Sequence, residues 1–377
     1  MSSGTVSPDE TIVRELVLQH VRITPRTVWS FMLLTLEDGR TGCGEATWNA
    51  GPDTLDAPAA AAAHAWTGRP LAAVETFAAA RGIAPLPEAA VASAIEQACW
   101  DLRGQLAGRG AAFLHGEPQR TRVRLYANIN RRTVDRSPEG FAQSAKIARA
   151  AGFDVLKVAP FDGLAPALCG SPQGRQLLEA GLARVAAVRA AMGTAVDVYV
   201  DCHWRFDPTL AGVALRELAG LGVTWFECPL PEVPGNMDAL RALRREANAR
   251  GMRTAGLEEL THPDAFGPWI AASCYDVVMP DVKYAGGIGG VLRVGELAAA
   301  QGIACAPHNP SGPICHAASL AACAMGAGMD LLEHQFDESP AFQALVGDRL
   351  PHPHGGYSAL PDGPGLGVRL QPESWRA

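Results

Sequence analysis

Four short β-rich runs in this 377-residue chain end in an acid: Val196–Asp201, Trp225-Phe226-Glu227, Thr254–Glu258 and Val277–Asp281. A histidine, His203, follows the first of them by two residues. Side chains alternate along a strand, so Asp201 and His203 are expected to point the same way. At the C-terminal mouth of a parallel barrel, where such barrels keep their chemistry, these groups would surround one point. Carboxylates meeting there repel unless a cation neutralises them. Oxygen-only ligands suit a hard ion such as Mg²⁺. Taken alone, a strand-end acid is more often the cap of the next helix; several at successive strand ends reverse those odds. Glu259 competes with Glu258 for the third position, because alternation turns one of the two away.

The elements that must position these groups fall into two styles. Residues 11 to about 50 read as antiparallel strands, with Glu37-Asp38-Gly39-Arg40 as a turn. Alanine-rich helical text follows from about 55 to 108, bracketed by proline and glycine. Strands first and helices second is α+β ordering. From about 122 strand and helix alternate, with strands expected at 123–128, 153–158, 196–201, 223–227, 253–258, 275–280, 303–307 and 329–333. Eight such units fit a parallel barrel better than an open sheet, and no GxGxxG follows the first strand. The expected division is 1–121, 122–350 and a Pro/Gly-rich segment, 351–377, that packs back on the first domain.

Bulk composition excludes several functions. The net charge of −7 argues against a nucleic-acid surface or an anionic membrane. No apolar run reaches about 18 residues, so no transmembrane helix is expected. The first residues lack the basic and apolar regions of a signal peptide. Nine scattered cysteines without a CxxC pair read as reduced, buried thiols, and the expected location is cytoplasmic.

Six stretches, in order, resemble the enolase superfamily in its mandelate racemase-like branch. They are Ala94–Gly104; Asp201, Glu227 and Glu258; Met279-Pro280-Asp281 with Gly286-Gly287; Ala306–Pro310; Leu332-Glu333-His334; and Pro361–Gly367. The resemblance covers nearly the whole chain. It implies a (β/α)7β TIM-like barrel with an N-terminal α+β capping domain completed by the C-terminal segment. It implies that Asp201, Glu227 and Glu258 are the ligands of Mg²⁺, that Asp281 and His308 form a dyad, and that Glu333 is the eighth-strand glutamate.

One departure is informative. Where the family often carries Lys-x-Lys on the second strand, this chain reads Lys157-Val158-Ala159, and where Asp-x-Asn is common it reads Asp201-Cys202-His203. Both features look like the galactonate-dehydratase-type members. The chemistry so implied starts with loss of the α-proton of a carboxylate substrate, whose enediolate the metal stabilises. His308 is the expected base, oriented by Asp281. Lys157 adds positive charge near the developing oxyanion, Glu333 accepts or donates a hydrogen bond at the substrate carboxylate according to its own proton, and His203 protonates a departing β-hydroxyl. A sugar acid, aldonate or aldarate, would give a 2-keto-3-deoxy acid. A racemase or epimerase on the same scaffold, or a non-catalytic sugar-acid-binding barrel, are the rivals.

Trp29, Trp48 and Asn49 are placed in cap-domain loops over the site, as selectors of substrate or as ordinary packing. Asn128 and Asn130 are candidates for substrate hydroxyls, and Lys283 for the mouth by alternation with Asp281. His334 points off the site, and His316, His352 and His354 are assigned to packing or surface. A homo-oligomer is the default assembly.

Overall fold

A computed structural model describes residues 11–48 and 50–371. The N-terminal part opens with an antiparallel sheet of β1 (Val13–Arg22), β2 (Val28–Leu36) and β3 (Thr41–Glu45). The β2–β3 turn relies on Gly39 at φ +88°, a left-handed conformation that costs glycine nothing. Three helices follow: α1 (Asp56–Trp66), α2 (Leu71–Ala80) and α3 (Leu86–Ala107). Helix α3 lies directly on β3, and two glycines permit it. A Cβ on Gly44 would sit 1.8 Å from the Ala94 carbonyl oxygen, and one on Gly42 2.4 Å from that of Ala98. Buried on most of its circumference, α3 also packs on α2 and on the barrel.

The rest alternates strand and helix: β4 (Arg122–Asn128), α4 (Pro138–Ala150), β5 (Val155–Val158), α5 (Pro172–Met192), β6 (Asp197–Asp201), α6 (Pro208–Gly220), β7 (Trp225–Glu227), α7 (Met237–Asn248), β8 (Arg253–Gly256), α8 (Pro263–Ala271), β9 (Val277–Val278), α9 (Gly287–Ala299), β10 (Ala304–Cys305), α10 (Pro313–Met325), β11 (Leu331–Gln335), α11 (Ala341–Ala344) and β12 (Tyr357–Ala359). Eight strands pair in parallel in the order β10-β9-β8-β7-β6-β5-β4-β11. The ring is nearly closed: across the β10–β11 seam the Glu333 N–H donates to the Pro307 carbonyl at 3.4 Å. This is the expected α/β barrel with a smaller α+β domain before it.

Strands β9 and β10 are shorter than the runs expected at 275–280 and 303–307. Pro280 and Pro307 lack the N–H that a continued ladder would use. Beyond them a single bridge pairs Asp281 with His308. Near residue 360 the chain both joins the barrel and returns to the cap. Strand β12 runs antiparallel to β4, and the Leu366 N–H then donates to Asp101 of α3 at 2.9 Å.

Inside the barrel, strand alternation stacks two layers. Tyr199 and Trp225 lie face to face, ring centres 4.5 Å apart. Two residues on along the same strands, Asp201 and Glu227 stand on the same side, above them. All nine cysteines are free and buried. Among the described residues, no helix is long and apolar enough to cross a membrane.

Candidate active site at the barrel mouth

Asp201 and Glu227 are the last residues of β6 and β7, and their register pairs them directly. Glu258 lies two residues beyond β8. Left-handed residues turn the chain at these exits: His203 (φ 46°), Trp204 (φ 56°), Cys228 (φ 43°) and Leu257 (φ 77°). None is glycine, so the backbone here is strained, as backbone at functional sites often is. The turns also correct the alternation argument. Strand β6 ends at Asp201 and β8 at Gly256, so alternation governs neither His203 nor the choice between Glu258 and Glu259. Leu257 turns the buried Glu258 carboxylate to the centre, while Glu259 lines the cavity beside it.

One oxygen each from Asp201, Glu227 and Glu258 can be chosen so that all lie within 4.8 Å of one another. That spread suits oxygens around one hard cation at just over 2 Å. The three are fully or nearly fully buried. Burial, and then the charges of Asp201 and Glu227, push the Glu258 carboxyl far up. Burial likewise raises Glu227 to about 7, although Lys157 pulls it down. Burial opposes ionisation of Asp201 too, but the charge and hydrogen bonds of His203, with Lys157, hold it well below the usual carboxylate range. Three all-oxygen ligands that strain against one another are a donor set fit for Mg²⁺.

Lys157, fully buried on β5, places its ammonium 2.5 Å from Glu227 and 2.8 Å from Glu333. Burial opposes that charge, yet the two carboxylates raise the Lys157 pKa well above its ordinary value. Glu333, on β11, also accepts from the Asn128 amide at 2.6 Å and the Asn309 N–H at 3.1 Å. Against the effect of burial, Lys157 and His308 lower its pKa, so Glu333 acts as an acceptor.

His308 Nδ1 is 2.8 Å from Asp281 Oδ2, which leaves Nε2 directed at the centre, 3.6 Å from Glu258 and 3.9 Å from Glu333. Asp281 stays ionised despite burial, because Lys283 (2.6 Å) and His308 both contact it. His203 Nε2 is 2.6 Å from Asp201 Oδ2; partial burial disfavours its charge, but that carboxylate raises its pKa.

Asn130, Trp48 and Lys283 line a cavity of about 310 Å³ above these groups, and Asn128 lines its floor. Trp29 does not. It sits inside β2, fully buried, edge-on to Phe342, and lines a separate cavity behind β11. The correction has a simple cause: the apolar run Val28–Leu36 extends the strand through Trp29. Asn49 lies outside the described residues. His334 turns away from the site and stacks on Phe153, and His316 is buried beside it. Sequence reasoning passed over Arg131, Tyr284 and Gln335, which also line the cavity, and Glu45. Glu45 accepts N–H groups of Gly312 and Cys315 at the start of α10, fixing the cap against the loop that carries His308. An acid closing an apolar strand, Gly44-Glu45, was the only signal for it.

Comparison with known proteins agrees with this geometry. Residues 140–374 match the family described as enolase C-terminal domain-like. The chain belongs to the enolase superfamily. Among curated superfamily relatives, D-galactonate dehydratase of Ralstonia nicotianae is 28% identical over 362 residues, covering 93% of this chain and 90% of that one. D-gluconate dehydratase of Thermoproteus tenax is 30% identical over 279 residues, 74% of this chain but only 54% of the relative. A solved mandelate racemase/muconate lactonizing enzyme from a Sulfitobacter species shares the fold, with TM-score 0.83 at 23% identity over 97% of this chain and 95% of that one. The superfamily placement, with its galactonate-dehydratase-like character, is therefore as the sequence motifs implied.

Proposed function

We propose that the chain is a hydro-lyase that dehydrates an acid sugar to a 2-keto-3-deoxy acid with Mg²⁺. The observation that carries this reading is the pairing of a buried three-carboxylate cluster with an imidazole, His308, held from behind by Asp281 and open at Nε2. The names of the D-galactonate and D-gluconate dehydratase relatives support the reaction class. Mg²⁺ held by Asp201, Glu227 and Glu258 would draw electron density from the substrate carboxylate and so acidify its α-C–H bond.

His308 Nε2 removes the α-proton, and Asp281 stabilises the imidazolium that results. Lys157 Nζ offers positive charge where the carboxylate becomes electron-rich. Glu333, fixed by Asn128 and the Asn309 N–H and held ionised, accepts a hydrogen bond from a substrate hydroxyl rather than from its carboxylate. His203 donates its proton to the departing β-hydroxyl; the C–O bond breaks, water leaves, and the enol tautomerises to the ketone. The Asp201 carboxylate, 2.6 Å from His203 Nε2, raises the pKa of that ring in the metal-free site. With Lys157 engaged by Glu227 and Glu333 and with Ala159 carrying no base, the opposite face lacks the usual second base.

The deciding experiment is a screen of aldonates and aldarates with Mg²⁺, reading 2-keto acid formation in D₂O. Formation of 2-keto acid with deuterium at C3 supports dehydration. Deuterium entering unreacted substrate or its epimer without 2-keto acid would replace dehydration by epimerisation. Silence across the library, with Mg²⁺ bound, would leave a binding protein.

A further inference from the structure

We infer that Arg131 reads the far end of the substrate, and that the favoured acid sugar carries a second carboxylate there. This rests on the dehydratase reading and names its substrate class. Topology gives the direction. The three clustered carboxylates follow β6, β7 and β8, whereas Arg131 lies three residues beyond β4, four strands round the ring from β8. Arg131 nevertheless lines the same cavity as Glu258, His203 and His308. A substrate with one carboxylate at the cluster extends its other end across the mouth, toward the loop after β4.

The charges across that mouth have a polarity. Glu259, beyond β8, lines one rim and Arg131 the opposite one. A dianion fits in one sense only, with its distal charge away from Glu259. Lys283 cannot serve this purpose, because Asp281 and Ser311 hold its ammonium. Among the described residues Arg131 makes a single ion pair, Nη1 to Glu338 at 3.2 Å, and keeps 29% of its side chain exposed. A guanidinium has five N–H donors, so one contact leaves enough for a bidentate carboxylate. The Glu338 side chain is only 5% exposed and accepts from the Thr27 hydroxyl of the cap.

Holding the two loops together does not by itself explain Arg131. The neighbouring pair, Arg132 with Asp337 at 3.2 Å, already ties the loop after β4 to the loop after β11. Asn130 and Gln335, on the cavity wall between, suit the hydroxyls of the sugar chain.

The test compares kcat/KM for aldarates with that for aldonates of equal chain length and configuration. Wild-type protein should favour the aldarates. Arg131→Met should lower the aldarate-to-aldonate ratio by roughly thirtyfold, chiefly through KM, as expected for loss of a charge-assisted bidentate contact. Glu338→Gln, which leaves the guanidinium in place, should keep or raise that ratio. Calorimetry of adipate against hexanoate in Mg²⁺ reads the same contact without turnover, and Arg131→Met should remove any adipate preference. A wild-type preference for aldonates, an unchanged ratio in Arg131→Met, or equal losses in both variants would overturn the inference while the dehydratase reading stands. If no acid sugar turns over, the dehydratase reading falls, and the adipate measurement still decides whether Arg131 binds a second carboxylate.

Discussion

Two groups of buried carboxylates divide this molecule. At the joint between cap and barrel, every acid meets donors. Glu96 accepts the N–H groups of Ile288 and Gly289 at the start of α9, at 2.8 and 2.9 Å, and the Trp100 indole at 2.7 Å. Glu45 does the same for α10, and Asp101 accepts from Cys43 and Leu366. At the barrel mouth the acids meet one another. Glu258 has only the Cys228 thiol at 3.6 Å as a hydrogen-bond donor among the described contacts, and faces Asp201 and Glu227. Burial is common to both groups, so burial does not mark the site. A deficit of donors at Glu258 does: Asp201 has His203 and Glu227 has Lys157 and the Trp225 indole, but Glu258 lacks any such partner among the described contacts, and a cation would supply what backbone N–H groups supply at the joint.

That contrast can be broken by substitution. The largest effect belongs to His308→Asn, expected to cut kcat by about 10⁴-fold while Mg²⁺ affinity holds, read by steady-state kinetics beside calorimetric titration. Next is Glu258→Gln. It should abolish tight Mg²⁺ binding and turnover together, yet raise the melting temperature of the metal-free protein at neutral pH, because folding no longer has to keep protonated a carboxyl that the unfolded chain would ionise. The same logic with the opposite sign applies at the joint. Glu96→Ala should lower stability by about 2 kcal/mol in denaturant titration, since it strands three donors, while Mg²⁺ affinity stays near wild type. A fall in melting temperature for metal-free Glu258→Gln would erase the distinction.

The smallest effect is in pH dependence. Burial raises Glu96 from 4.5 to about 7 in the folded protein. The folded state therefore holds this proton more tightly than the unfolded chain. Its contribution to stability is greatest below pH 4.5, declines as pH rises toward 7, and is level beyond. Glu96→Gln should flatten that segment of the stability curve in urea titrations across pH 4.5–7.5.

The mouth was legible in the sequence because its residues recur at strand ends one βα unit apart, and because six stretches carry a family pattern. Period-two reasoning failed where strands stopped. It could not foresee the left-handed Leu257 that turns Glu258, nor the turn at His203. Trp29 takes the packing alternative: it lies in the strand that the run 27–36 already indicates, so a loop over the site was never open to it. Glu45, Glu96 and the Arg131–Glu338 pair were unreadable for another reason. Their partners are backbone N–H groups or side chains brought close only by the closed barrel and docked cap, and no local spacing encodes them. The Asp281 bond to Lys283, two residues on, was local and had been anticipated only as proximity.

The nine sequestered sulfurs have a practical consequence. Burial lifts every one of these thiols above its ordinary ionisation range, so each resists alkylation while the chain stays folded. Cys202 and Cys228 immediately follow Asp201 and Glu227 along the chain. The rate at which iodoacetamide reaches those two thus becomes a clock for opening of the barrel mouth, and divalent ions should slow it while leaving Cys99, in the cap, to report separately.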